Sequence, residues 1–185
     1  VVLVMPQADV DESGDEWLHG YDVVRKVVAG GPQRQDSVYN GFQALEESTE
    51  IAVVHDGVRP FTTAEMIKET VEAAEQHGAA ITAIPVSDTV KQVVEGFVER
   101  TVPREGLWRV QTPQAFQCGL LQTAFAKARE DSYYGTDEGG LVVYLGKQVK
   151  IVSGSELNIK ITRKEDLILG ESLLCLGSQS RKRGR

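Results

Sequence analysis

The chain has 185 residues, 41% of them hydrophobic, and a formal net charge of −7 at pH 7. This length is enough for one α/β domain with a buried core. The negative charge argues against nonspecific binding to nucleic acids or anionic membranes. No run approaches the roughly 20 apolar residues of a membrane span, and no signal-peptide pattern is present. Cys118 and Cys175 are far apart and lack metal-type spacing. We therefore expect a cytoplasmic protein with free thiols.

Predicted strands and helices alternate along the chain. Short apolar runs predict strands at residues 1–5, 23–28, 51–54, 79–86, 149–153 and 158–162. Apolar residues at helical spacing predict helices near 38–45, 62–77, 120–128 and 162–175, whereas 9–20 is a loop or a weak short helix. Trp108 and Phe116 are expected in the core. The alternation indicates one α/β domain over residues 1–175, followed by a disordered basic tail at 176–185.

A hairpin is predicted at residues 88–102, where two β-rich segments flank Glu95-Gly96. Its outer positions do not clearly alternate. The hairpin, about residues 87–103, is therefore either an arm that packs on a partner subunit or a covered surface flap.

A glycine pair, Gly30-Gly31, precedes the helix at 38–45. Glycine lets a backbone approach a phosphate closely, and a helix N-terminus favours an anion. Arg34 and Ser37 add side-chain donors. The alternative, which we favour at this point, is that Asp36 or Ser37 simply caps the helix.

A polar cluster, His55, Asp56 and Arg59, follows the buried strand at 51–54. Ligands of open α/β sheets bind beyond the carboxyl ends of the strands. A carboxylate there can hold a divalent metal, and an arginine can hold a phosphate. An Asp–Arg pair that closes a turn before Pro60 explains the pattern equally well. His55 is expected to make local hydrogen bonds rather than act as a base.

Seven polar segments complete the pattern: Gly30-Gly-Pro-Gln-Arg-Gln-Asp-Ser37, His55-Asp-Gly-Val-Arg-Pro60, Pro85-Val-Ser-Asp-Thr89, Arg104-x-x-Leu-Trp108, Gln111-Thr-Pro-Gln-Ala-Phe116, Gly135-Thr-Asp-Glu138 and Asn158-Ile-Lys-Ile-Thr162. Their order resembles that of the 2-C-methyl-D-erythritol 4-phosphate cytidylyltransferases. The resemblance implies a Rossmann-like nucleotidyltransferase sheet, mostly parallel, with a projecting β-hairpin arm. It also implies a Mg²⁺-dependent homodimer that joins CTP to methylerythritol phosphate. The products are CDP-methylerythritol and pyrophosphate, in non-mevalonate isoprenoid biosynthesis.

The resemblance assigns roles to individual residues. It implies nucleotide binding by Gly30, Gly31, Arg34, Ser37, Asp56 and Gly57. It implies binding of the sugar phosphate by Arg59, Thr89, Thr112 and Thr136. It implies catalytic roles for Asp56, Arg104 and Lys160, with Asp56 near the metal and Arg104 reaching the neighbouring subunit's site. Such a reaction needs two anions to be positioned and their charge neutralised, so cations and hydroxyl donors suit it.

The chain also departs from the family pattern. Family members open with a strand and a glycine-rich loop whose arginine and following lysine cradle the triphosphate. Residues 1–20 hold no such loop, and residues 1–5 match the family's second strand. Pro32 replaces a residue that is commonly acidic. We therefore expect little or no turnover from these 185 residues alone.

Two other interpretations remain open. A ribitol 5-phosphate cytidylyltransferase has similar His-Asp and Thr-Pro-Gln segments, although Lys91 and the segment Arg104-x-x-Leu-Trp108 favour the methylerythritol enzyme. The second interpretation is a non-catalytic fragment that only dimerises, and the absence of the glycine-rich loop from residues 1–20 supports this interpretation. Titration with CTP and Mg²⁺ separates a dimerising fragment from an enzyme.

Overall fold

The computed structural model describes the backbone of residues 1–183 and the side chains outside 14–18 and 176–183. The strands are β1 (Val2–Met5), β2 (Lys26–Ala29), β3 (Ile51–Val54), β4 (Ala79–Pro85), β5 (Val90–Val94), β6 (Phe97–Val102), β7 (Trp108–Gln117) and β8 (Lys150–Ser153). The helices are α1 (Gln7–Gly20), α2 (Arg34–Gln43), α3 (Ala64–His77), α4 (Cys118–Glu130), α5 (Glu138–Tyr144) and α6 (Lys164–Arg183). The expected α/β class is confirmed.

Strand pairing follows the hydrophobic pattern. β1 and β2 pair in parallel, with Val2 opposite Lys26 and Met5 opposite Ala29. A four-stranded sheet has the order β3-β7-β4-β8. The two inner strands, β4 and β7, are buried along most of their length. The long apolar run of β4 is typical of such an inner strand because both of its faces are covered, whereas β7 also buries polar side chains, among them those of Gln111 and Gln114.

The described chain divides into two compact units. Unit 1 comprises Val1–Val54, Val71–Ala80 and Ala115–Lys150, and unit 2 comprises His55–Thr70, Ile81–Gln114 and Ile151–Arg185. Within unit 1, the buried ring of Phe125 lies 5.3 Å from the ring of Tyr39 and 5.7 Å from that of Phe42, between ring centroids. Within unit 2, the buried hydroxyls of Thr70 and Thr82 lie 3.1 Å apart. The single-domain prediction for residues 1–175 stays a prediction.

The predicted hairpin is confirmed. β5 and β6 pair antiparallel from Val90–Val102 to Val94–Phe97. Glu95 and Gly96 have φ values of 50° and 85°. Positive φ at both central positions is typical of a type I′ turn, whose twist matches that of the paired strands. The side chains of Val93, Val94, Phe97 and Val98 are exposed.

Two local predictions are wrong. Residues 158–162 are not a strand, because this segment is held by single hydrogen bonds such as Ile161 N to Val58 O rather than by a ladder. Trp108 is 43% exposed, since it opens β7 before the buried part of that strand begins. Phe116, at 0% exposure, is in the core as expected.

The first and last helices are longer than the sequence predicts. α1 spans the stretch expected to be a loop or weak helix, and α6 continues to Arg183 through most of the predicted disordered tail. Residues 176–183 contain no proline, the residue that disfavours a helix interior most strongly. Residues 184 and 185, the end of that tail, lie outside the described residues. None of the described helices has the length and apolarity to cross a membrane.

Candidate functional site

Unit 2 places Asp56 between two cations. Lys160 Nζ lies 3.0 Å from Asp56 Oδ2, and Arg59 Nε lies 3.6 Å from the same oxygen. The side chains of Asp56 and Arg59 are 16% and 11% exposed, and that of Lys160 is 43% exposed. We call these three residues the Asp56 cluster. Two cations around one carboxylate leave a positive charge, so the cluster can attract a phosphate.

Of the two interpretations of the segment at 55–60, the structure shows the turn, and the metal–phosphate interpretation stays a prediction. Arg59 N donates to Asp56 O at 3.0 Å, so the predicted turn closed by an Asp–Arg pair is present. Lys160 also contacts Asp56, and this second cation takes no part in closing the turn. Burial lowers the pKa of the Arg59 guanidinium below its ordinary value, and the Asp56 carboxylate opposes that shift. Because the ordinary value is so high, the guanidinium keeps its charge.

Thr112 and His55 hold the backbone of this segment. Thr112 Oγ1 accepts from Asp56 N at 3.1 Å and lies 3.0 Å from His55 Nδ1. His55 Nε2 lies 3.1 Å from Arg59 O, which can only accept. In the neutral imidazole the hydrogen is therefore on Nε2, and Nδ1 accepts from the Thr112 hydroxyl. His55 makes local hydrogen bonds, as the sequence predicts.

The remaining predicted residues of unit 2 are more exposed. Gly57 and Thr89 are exposed, and a Cβ added at Gly57 would meet nothing within 4 Å. Arg104 NH1 donates to Ser87 O at the base of the hairpin. Arg104 therefore lies at the base of the hairpin. The roles of these residues in binding and catalysis stay predictions.

The Asp56 cluster contains a single carboxylate that could bind a metal ion, that of Asp56. Among the residues that the structure describes, no group of three or more His, Cys, Asp or Glu side chains is arranged to hold an ion. The described residues therefore do not form a metal site made of protein ligands alone. Mg²⁺ commonly uses one or two carboxylates and takes its other ligands from water and substrate phosphates. Asp56 fits an ion of that kind.

Unit 1 contains the glycine pair. Gly31 N donates to Ser37 Oγ at 3.0 Å. A Cβ at Gly31 would lie 2.4 Å from Asp36 Cβ, and one at Gly30 would lie 2.8 Å from Ser37 Oγ. The glycines thus permit close approach to the first turn of α2. Gln33 is the N-cap, and Asp36 reaches back to its backbone in a capping box, which corrects the expected cap at Asp36 or Ser37.

Arg34 is held by Glu138, to which the sequence pattern assigns no role although this glutamate ends one of the seven segments. Arg34 NH1 lies 2.9 Å and 3.0 Å from the two carboxylate oxygens of Glu138. The side chain of Glu138 is 1% exposed and that of Arg34 is 38% exposed. Burial raises the pKa of Glu138, and the Arg34 guanidinium opposes that rise. The pair fixes the guanidinium of Arg34, while part of the Arg34 side chain remains exposed.

A second contact ties the loop before Thr136 to α2. Gln35 Oε1 accepts from Gly135 N at 2.9 Å, and Gln35 Nε2 donates to Tyr133 O at 3.2 Å. Thr136 follows directly and is exposed. In unit 1, the structure therefore brings the segments that carry Gly31, Arg34 and Thr136 close together, as the sequence order alone could not show.

Burial of Glu138 predicts how stability depends on pH. A buried carboxyl with a raised pKa keeps its proton in the folded state at pH values where the unfolded state has lost it. Stability therefore falls as pH rises above the ordinary glutamate value of 4.5. Glu138→Gln removes the ionisable group. We therefore expect the free energy of unfolding of this variant, minus that of wild type, to increase as pH rises from 4.5. Urea denaturation at several pH values measures the difference.

The matched control for that experiment is Glu46→Gln, which neutralises an exposed glutamate of unit 1. Its difference from wild type should stay constant over the same pH range. A Glu138→Gln difference that is flat, or that moves in the opposite direction, would contradict the assignment of burial as the cause.

Comparison with known proteins gives consistent results. The family description 2-C-methyl-D-erythritol 4-phosphate cytidylyltransferase matches residues 1–175. The protein of that name from Syntrophus aciditrophicus is 46% identical over 177 residues, which cover 94% of this chain and 76% of the relative. The solved 4-diphosphocytidyl-2C-methyl-D-erythritolsynthase from Anaerococcus prevotii is 35% identical, with a TM-score of 0.83, and the match covers 94% of this chain and 80% of that one. The solved cytidylyltransferase from Thermus thermophilus is 33% identical, with a TM-score of 0.80 and the same coverage. These neighbours confirm the expected Rossmann-like nucleotidyltransferase fold.

Proposed function

Because this chain belongs to the 2-C-methyl-D-erythritol 4-phosphate cytidylyltransferase family, we propose that it transfers a cytidylyl group from CTP to 2-C-methyl-D-erythritol 4-phosphate. A phosphate oxygen of the sugar phosphate attacks the α-phosphorus of CTP. The new P–O bond forms as the bond to the β-phosphate oxygen breaks. CDP-methylerythritol and pyrophosphate are released, a step of non-mevalonate isoprenoid biosynthesis.

Unit 2 is proposed to hold the sugar phosphate. Arg59 and Lys160 supply two cations, and the exposed Lys160 ammonium has the freedom to turn from Asp56 to an incoming phosphate. Thr89 is proposed to supply a hydroxyl, and Thr112, whose hydroxyl already bonds Asp56 N and His55 Nδ1, is proposed to hold the backbone of this segment for the sugar phosphate. Neutralising charge on the reacting phosphates is the largest contribution that such a site can make. No covalent intermediate on the protein is needed.

Unit 1 is proposed to bind cytidine. The absence of side chains at Gly30 and Gly31 lets this backbone pack closely against the first turn of α2, and the Glu138 carboxylate fixes Arg34, which belongs to that turn. Ser37 accepts from Gly31 N and so sets the shape of this turn. Hydrogen bonds from these groups to the base edge would select cytosine. Thr136 is proposed to contact the sugar phosphate.

Mg²⁺ is the proposed cofactor, and Asp56 with the triphosphate oxygens would hold it. The ion supplies charge neutralisation at the phosphates when it is bound. Asp56 has a second task in this proposal, because it also orients Lys160 and Arg59.

The observation that carries the substrate assignment is the 46% identity over 94% of the chain. Release of pyrophosphate from CTP and methylerythritol phosphate is the direct test, with ribitol 5-phosphate as the parallel substrate. Because we expect little or no turnover from these 185 residues alone, the kinetic tests use a chain to which the family's opening strand and glycine-rich loop are joined. We expect kcat/KM to be higher for methylerythritol phosphate. Equal or faster turnover of ribitol 5-phosphate would favour the relative that uses that sugar.

The hairpin is proposed to join two copies of the chain. Val93, Val94, Phe97 and Val98 form an exposed apolar surface at its tip, with Phe97 80% exposed. Apolar groups of this size are usually covered in an assembly. Sedimentation at micromolar concentration should give twice the mass of one chain, and a monomer would contradict the proposed homodimer.

Arg104→Ala tests whether Arg104, at the base of the hairpin, acts on the sugar phosphate. We expect turnover to fall by about tenfold while the affinity for CTP changes little, because one charged contact to a phosphate is lost. Steady-state kinetics with varied sugar phosphate, and calorimetric titration with CTP, measure the two quantities. Equal losses of turnover and of CTP affinity would argue against a role on the sugar-phosphate side. Arg25→Ala, which removes an exposed arginine of unit 1, is the control.

A further inference from the structure

Two buried amides lie beside the Asp56 cluster in unit 2. Asn158 is 0% exposed and Gln111 is 6% exposed. Gln111 belongs to β7, and Asn158 belongs to residues 154–162, which follow β8 and which we call the Lys160 loop. This loop has no regular structure after Ser153. Its backbone must therefore be held by something other than a strand ladder.

Gln111 binds the loop with both ends of its amide. Nε2 donates to Ser155 O at 2.8 Å and to Asn158 O at 3.4 Å. Oε1 accepts from Ser155 N at 3.3 Å and from Asn158 Nδ2 at 3.3 Å. Each donor meets an acceptor, so the orientations of the two amides are mutually consistent.

Asn158 continues the connection toward the Asp56 cluster. Its Nδ2 donates to Thr112 O at 2.9 Å, and its backbone oxygen accepts from Arg59 NH1 at 2.8 Å. Ile161 N donates to Val58 O at 2.8 Å. The Lys160 loop is thus tied to the segment at 55–60 on both sides of Lys160.

The start of the loop shows how closely Gln111 is packed. A Cβ added at Gly154 would lie 2.4 Å from Gln111 Oε1 and 3.2 Å from Ala83 O. A side chain at position 154 would displace the amide or the strand backbone. Glycine at position 154 therefore leaves the space that the Gln111 amide needs to bind the loop.

We propose that Gln111 and Asn158 are positioning residues that hold the Lys160 loop so that Lys160 and Arg59 both face Asp56. Lysine has many rotamers, and the place of its ammonium depends first on where its backbone is held. Arg59 depends on Asn158 directly, through its bond to the backbone oxygen. The kinetic consequence of this proposal rests on the proposed function, whereas the positioning itself does not.

Asn158→Ala and Gln111→Met test the proposal by kinetics. We expect kcat/KM for methylerythritol phosphate to fall by about tenfold, the scale of losing one or two buried hydrogen bonds. The KM for CTP should change by less than about twofold, since only the sugar-phosphate side is disturbed. Gln111→Met keeps the length of the side chain, so it carries the test if circular dichroism shows that Asn158→Ala does not fold.

Thr70→Val is the matched control, because Thr70 is a fully buried polar residue of unit 2 whose hydroxyl bonds Met66 O and Thr82. It should lower stability without changing either kinetic parameter. Equal changes for both substrates in the Asn158 and Gln111 variants, or the same kinetic change in Thr70→Val, would overturn the proposal.

A measurement that needs no turnover separates this proposal from the proposed function. Trace acetylation followed by mass spectrometry reports how accessible the Lys160 amine is, with the exposed Lys164 as internal reference. We expect Lys160 to react about threefold faster in both variants, the scale of releasing a partly exposed ion pair. Unchanged acetylation overturns the positioning role. If the wild-type protein shows no turnover but Lys160 is acetylated faster in both variants and not in Thr70→Val, only the proposed function is overturned.

Discussion

Replacement of Lys160 by methionine is expected to lower kcat/KM for cytidylyl transfer by roughly 100- to 1000-fold, the range seen when one charge-stabilising donor is removed from an active site. Lys160 is the most exposed member of the Asp56 cluster, and its ammonium lies 3.0 Å from the Asp56 carboxylate. Methionine keeps most of the apolar stem, so the loss reports on the charge. Steady-state release of pyrophosphate measures it.

Lys164→Met is the control for that variant. It removes the same charge from an exposed lysine four residues further along, at the start of α6. We expect kcat/KM within about twofold of wild type, since exposed charges at this distance are screened by salt. A loss in Lys164→Met comparable with that in Lys160→Met would show that net charge, rather than the Asp56 cluster, is responsible.

Replacement of Asp56 by asparagine is expected to lower kcat by roughly 10- to 100-fold and to raise the Mg²⁺ concentration needed for half-maximal activity. The carboxylate is the acidic group that Arg59 and Lys160 share. Without its charge, the two cations repel each other. The largely buried Arg59 also loses its counter-charge, so the free energy of unfolding should fall by about 1–3 kcal/mol.

Activity titrated with Mg²⁺ and urea denaturation measure these two effects separately. Asp22→Asn, at an exposed aspartate of unit 1, should change neither. If Asp56→Asn lowers stability but leaves the Mg²⁺ requirement unchanged, the residue orients the cations and does not serve the metal.

Local sequence patterns predicted most of the secondary structure. The apolar runs at 51–54 and 79–86 are strands β3 and β4, and the Glu95-Gly96 turn closes the hairpin. These features depend on neighbours within a few residues, which the sequence displays directly. Weak local signals gave mixed results. Residues 9–20 are helical, which was one of the two predicted alternatives, whereas the strand predicted at 158–162 is wrong because isolated hydrogen bonds hold that backbone.

The sequence likewise predicted one part of the candidate site and not the other. The residue types at Asp56, Arg59 and Lys160 are visible in the sequence, and their order carried the family resemblance that the comparisons confirm. Their functional roles remain predictions. Neither the partner of Arg34 nor the amides that hold the Lys160 loop could be inferred, since no local pattern links Arg34 to Glu138 or Gln111 to Asn158.

By itself, then, the sequence determined the alternation of strands and helices, the hairpin turn and the set of cations available to bind phosphate. Only the tertiary structure decided that Asp56 lies between Arg59 and Lys160, and that buried Gln111 and Asn158 hold the loop carrying Lys160. The physical reason is the range of the interactions. Turn geometry and strand propensity act between near neighbours, whereas ion pairs and amide contacts form between segments that only folding brings together.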